Sequence, residues 1–176
     1  MSGASNTDWD DLRKELIQAR NAIDQLFLRL PPERYNLTSC ETEEFNCVGW
    51  AAGKPLKWWQ AIKAERWHYW PRGVPKVFTI PAYSLALQKK GFVECGMNGD
   101  LEPGFEKVAL FIDHRQEFSH AARQLPSGEW TSKLGALHDI EHERLTDLEG
   151  PPQAYGTVAL FLKRPIKRWR ATKKRK

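Results

Sequence analysis

The chain has 176 residues, 41% hydrophobic and 28% charged, which suits one soluble globular domain with a sizeable core and excludes a disordered or fibrous chain. The net charge of +5 is a property of one end: nine Lys or Arg and no acid fall between Lys163 and Lys176, and the rest holds 18 basic residues against 22 acidic ones. Three cysteines make no disulfide framework, no apolar run is long enough to span a bilayer and no leader-like segment is visible, so a reducing, cytoplasmic setting is the expectation.

In chain order, residues 1–7 read as disordered. From Asp8 to Leu30, apolar Trp9, Leu12, Leu16, Ala19, Ile23, Leu26 and Leu30 recur at helical spacing, with Asp8, Asp10 and Asp11 crowding the first turn and Pro31-Pro32 ending it. This stretch, residues 1–30, is an amphipathic helix preceding a domain over 31–165 and a basic tail over 166–176. Residues 33–46 form a polar approach. A helix starts at Cys47 behind Asn46, a good N-cap, and is interrupted at Gly53-Lys54-Pro55; a second piece is expected from Leu56 to Trp67. Trp58, Trp59, Trp67, Tyr69 and Trp70 form either a stacking surface for bases or sugars or, as is commoner at helical spacing, packing.

A short helix follows over Pro81–Lys90, then strands at Phe92–Cys95, Lys107–Asp113, Phe118–Leu125, Glu129–Leu134 and Thr157–Lys163. Helices first and antiparallel strands later make the class α+β. Leu125-Pro126-Ser127-Gly128-Glu129 suits a three-residue hairpin loop with Gly128 left-handed. That register sets Leu125 opposite Glu129 and puts His120, Ala122, Gln124, Trp130, Ser132 and Leu134 on one face, with Lys133 on the other. A two-residue Ser-Gly turn would bring Lys133 beside His120 instead.

A thiol at a helix start meets unpaired backbone N–H groups and the positive end of the dipole, which favour the thiolate. Cys47 is therefore the candidate nucleophile and His120 the candidate base; a buried, inert Cys is the plain alternative. Cys40 and Cys95 lack comparable context. His138 and His142 stand four apart, and His114 or Cys95 could join them around a metal, yet the order is not that of a metalloprotease helix, and neither metal nor cofactor is expected. No phosphate-cradling glycine loop or dinucleotide fingerprint is present.

The order of a cysteine at a helix start, a strand with His, a glycine turn and a strand with a polar residue resembles papain-like hydrolases of the NlpC/P60 type. The segments Asn46–Ala51, Phe118–Gln124 and Trp130–Gly135 also look like an uncharacterised bacterial family with Asn-Cys-x-x-Trp-Ala and Phe-[Ser/Thr]-His-Ala-Ala-Arg-Gln segments. The resemblance implies an NlpC/P60-like antiparallel sheet packed against N-terminal helices. It implies a catalytic set of Cys47, His120 and Ser132, with Asn46, Gln124 and Trp130 supporting. The third position usually holds His, Asn, Gln or Asp, so Ser132 departs from the pattern, and Gln124 or Asp113 is an alternative. The implied reaction is acyl transfer on a peptide, amide or thioester; the competing expectation is an inactive papain-like binding module. In that case nucleic acid would be met by Lys163, Arg164, Lys167, Arg168, Arg170, Lys173, Lys174, Arg175 and Lys176. No membrane association is expected.

Overall fold

The computed structural model describes residues 6–54, 57–62, 68–150 and 154–166. Its frame is a seven-stranded antiparallel sheet, flanked by α1 (Asn6–Leu26) on one face and by α2 (Cys47–Ala51) and α3 (Ile80–Gln88) on the other. The strands are β1 (Tyr35–Leu37), β4 (Val93–Glu94), β5 (Phe105–Ile112), β6 (Phe118–Gln124), β7 (Trp130–Lys133), β8 (Asp139–His142) and β9 (Thr157–Pro165), in the order β1-β8-β7-β6-β5-β9-β4. Every neighbouring pair is antiparallel. A separate parallel pair joins β2 (Trp58–Trp59) to β3 (His68–Tyr69). Among the described residues no helix is long and apolar enough to cross a membrane.

The two-residue period of the central strands builds two cores. Val108, Leu110, Ala121 and Leu162 face α2 and α3. Ala109, Phe111, Ala122, Trp130 and Phe161 face α1, which sends Ile23 down onto them, with Phe27 and Leu30 just beyond its end. Only the C-terminal half of the apolar stripe on α1 docks: Ile23 is 1% exposed whereas Leu16 is 43% exposed. The helix ends at Leu26 rather than Leu30, and Phe27 to Leu30 close in turns before Pro31. The side chain of Trp9 lies outside the described residues.

The hairpin follows the three-residue register. Arg123 pairs with Thr131 and Gln124 with Trp130, the Leu125 N–H donates to the Glu129 carbonyl at 2.8 Å, and Gly128 has φ +97°.

Two expectations are corrected. Helix from Leu56 to Trp67 is overturned where the chain is described, since Trp58–Trp59 is a strand; residues 55–56 and 63–67, Trp67 included, lie outside the described residues. β-branching does not explain it; aromatic packing does, with Trp59 1% exposed and its ring 4.6 Å from that of Tyr69. Trp70 meets Tyr83 edge-on at 4.9 Å, so the described aromatics serve as packing. Second, residues 139–142 form a strand, so His138 and His142, four apart, do not share a helix face. Lys163, expected in the last strand, and Arg164 both lie in β9, where Lys163 holds Glu102 at 2.7 Å and Arg164 holds Glu106 at 2.6 Å. The other basic residues named for nucleic acid, Lys167 to Lys176, lie outside the described residues.

Candidate active site around Cys47 and His120

Asn46 sets up the helix that carries the thiol. Its Oδ1 accepts from the Gly49 N–H at 3.2 Å, the N-cap bond, and from the Trp59 N–H at 3.0 Å, while Nδ2 donates to the Trp59 carbonyl at 2.6 Å. One amide thus fastens the first turn of α2 to β2. Gly49 is required by space, because a Cβ there would collide with the carbonyl of Lys57. The helix presses on β6 and β7: Trp50 Nε1 donates to Thr131 Oγ1 at 3.2 Å, and the Arg123 guanidinium lies 4.8 Å from the centre of the Trp50 ring.

Cys47 is buried in the α2-side core, beside the backbone N–H of Ala121. Pairing between β6 and β7 ends at Arg123 and Thr131, which leaves that N–H to the thiol. The N–H groups of Ala121, Val48 and Cys47 and the charge on Lys133 all favour the thiolate, but burial outweighs them and the thiol is pushed up to about 11. The expected low-pKa thiol is therefore corrected: in a five-residue helix the end effect is smaller than the cost of placing an anion in an apolar core.

His120 and Ala122 point to the α1 side and Ala121 to the α2 side, so imidazole and thiol belong to the two sides of β6. The imidazole is buried, edge-on to Phe111 at 5.5 Å and stacked on Tyr155 at 3.9 Å and 4°. Its Nε2 is 3.0 Å from Ser132 Oγ, which is 2.9 Å from His142 Nε2; His142 Nδ1 is 3.1 Å from the Arg144 carbonyl.

The chain has a direction. A carbonyl only accepts, so His142 donates through Nδ1 and, when neutral, accepts at Nε2 from the Ser132 hydroxyl. Ser132 then accepts from His120 Nε2–H, and His120 Nδ1 carries a lone pair. That Nδ1 is buried without a hydrogen-bond partner, which means that Cys47 does not bond to it. Burial holds both imidazoles neutral: His120 sits well below its ordinary range, also because of His142, and His142 is lowered to about 4.

The structure thus brings His120 and Ser132 together and adds His142, which the sequence offered only as a metal ligand. Gln124 donates to the Gly99 carbonyl at 2.9 Å and Asp113 binds Arg115 at 3.2 Å, so neither is the partner of His120. Trp130 packs with Phe161 in the α1-side core. Tyr155 was not legible as a site residue. Gly156, at φ +84°, is the local reason for its position, because a Cβ there would collide with the Ile112 carbonyl, and the chain lies tight against β5. The Tyr155 hydroxyl is pushed up first by burial and next by the nearness of Cys47, so the ring that covers His120 is also in electrostatic range of the thiol. Among the described residues no group of three His, Cys, Asp or Glu could hold a metal, and His138 instead faces Glu41 at 3.7 Å.

A family model described as a domain of unknown function, DUF7689, matches residues 36–163. No curated protein and no solved structure matches the chain.

Proposed function

The chain belongs to the DUF7689 family, and we propose that it is a papain-like cysteine hydrolase or acyltransferase of the cytoplasm, acting on a peptide, amide or thioester through Cys47 and His120. The observation that carries this reading is the state of His120. One ring nitrogen is committed to Ser132 and His142, and the other is a buried acceptor with no donor. A general base needs a fixed tautomer and a vacant second nitrogen, and His120 has both, while burial makes it a weaker base than a free imidazole.

In this reading Cys47 remains a thiol until substrate arrives, and the catalytic hydrogen bond requires a rearrangement in the complex that brings thiol and imidazole together from the two sides of β6. Nδ1 of His120 takes the thiol proton as Sγ attacks the carbonyl carbon. The imidazolium then gives that proton to the departing amine or thiol, leaving a thioester on Cys47. Water, deprotonated by the same Nδ1, attacks the thioester, and the acid product leaves as the proton returns to Sγ. In this reading the N–H groups of Cys47 and Val48, which act on the sulfur, stabilise the oxyanion.

The rival reading is an inactive papain-like module that binds a partner, with nucleic acid as the partner of its basic end. It draws on the burial of Cys47 and its raised pKa. An activated ester, p-nitrophenyl acetate, separates the two. Peptide mass spectrometry should find acetyl on Cys47 in the wild type, none there in His120→Ala, and no such dependence at Cys40 or Cys95. Acetylation of Cys47 that is as fast without His120, or its absence, would establish the module instead.

A further inference from the structure

We infer that Lys133 is a positioning residue for Cys47, the buried cation that faces its sulfur from β7 while His120 serves as base from the other side of β6. The inference rests on the hydrolase reading and names a residue that reading does not use.

Three observations place Lys133 there. First, residues 131 and 133 share the face of β7 turned toward α2, and Thr131 is fixed beneath Trp50 by a hydrogen bond of 3.2 Å. One helical turn back from Trp50 is Cys47, and two residues along β7 from Thr131 is Lys133, so the two ladders set thiol and ammonium in step. Second, Lys133 is fully buried, a placement rare for lysine without a counter-charge. Its Nζ donates to the Leu137 carbonyl and lies 5.5 Å from the centre of the Phe45 ring, two residues before Cys47. Third, Lys133 is opposite Asp139 in the β7–β8 register, and Asp139 Oδ1 is buried without a partner. No direct ion pair joins the two among the described contacts, but Asp139 and then Glu41 act on the ammonium ahead of Cys47, so the thiol shares its field with two carboxylates.

The charged and titratable groups around the pair are few. Cys47 meets Lys133 from β7, Tyr83 from α3 and Tyr155 from the segment before β9; Lys133 meets Asp139 from β8 and Glu41 from the loop after β1. Both tyrosines are held protonated by burial, which leaves Lys133 as the cation acting on the thiol.

The test follows the Cβ chemical shift of Cys47 by NMR against pH in a Cys40→Ser/Cys95→Ser background. Lys133→Met should lower the thiolate fraction at a fixed pH by about tenfold for each unit the midpoint rises, and Lys133→Arg should keep the midpoint near that of the parent. Asp139→Asn should move it the other way, because carboxylate and thiolate compete for one ammonium; this arm decides the matter even if Lys133→Met does not fold. Midpoints indifferent to both substitutions would overturn the inference. His120-dependent acetylation with a midpoint indifferent to position 133 would leave the hydrolase reading standing without this lysine. A midpoint governed by Lys133 without that acetylation would remove the reading and keep the pair.

Discussion

Ser132 is the residue on which two histidines depend. Its hydroxyl donates to one imidazole and accepts from the other, and all three groups are buried. Ser132→Ala leaves two ring nitrogens unpaired, at about 1–3 kcal/mol each, and is expected to show a large loss in urea unfolding. The same residues give the protein an acid limit. An unfolded histidine titrates near its ordinary value, whereas His142 in the fold does so at about 4. Between those values the unfolded chain binds more protons, so stability rises with pH and is lost as the solution is acidified from about pH 6.5 to pH 4. His142 alone accounts for roughly 3 kcal/mol of this limb, and His120, lowered by burial and by His142, adds in the same direction. Urea midpoints measured across that window should fall steeply for the wild type, and His142→Phe should flatten the fall while lowering the plateau.

At the scale of elements, α2 is too short to hold itself and is held by its attachments. Five residues form little more than one turn, below any length at which a helix is stable alone. The Asn46 amide, the Trp50–Thr131 bond and the close pass at Gly49 supply what propensity does not. Asn46→Ala removes a cap and two bonds to Trp59, and a loss of about 2–3 kcal/mol is expected. Hydrogen exchange should speed up at Gly49 and Trp59 before the β5–β6–β9 core is affected. The same attachments explain how much of this region could be read in advance. Asn46 as cap and Cys47 as first helical residue were legible, because capping is local chemistry. The end of α2 at Ala51 and the strand at Trp58–Trp59 were not, because they are set by an amide thirteen residues away from Trp59 and by aromatic packing with Tyr69.

For the molecule as a whole, two cores share one sheet, and α1 closes the second. The alternation of Val108, Ala109, Leu110 and Phe111 decides which core each residue serves, and that period, like the Gly128 turn and the register it fixes, is written in the sequence. What joins separate segments is not: Tyr155 lies on His120 from 35 positions away, Phe27 lies on Tyr155 at 5.2 Å from 128 positions away, and His142 ends the serine bridge from the next strand. Phe27→Ala should cost about 3–5 kcal/mol and loosen the Tyr155 stack, whereas Leu16→Ala, on the undocked half of α1, should change thermal stability little. Differential scanning calorimetry of the two variants checks both.

The bridge from His120 to His142 stops at the Arg144 carbonyl, an atom that takes hydrogen bonds but not protons. A proton that arrives at His120 Nδ1 can be relayed through Ser132 as far as His142, and there the line is closed. It is a siding rather than a conduit: the charge can be parked one imidazole deeper, away from the thiol, but its only exit is the nitrogen by which it entered. Whatever group gives up the proton on that side of β6, the recipient must come to the same place to collect it.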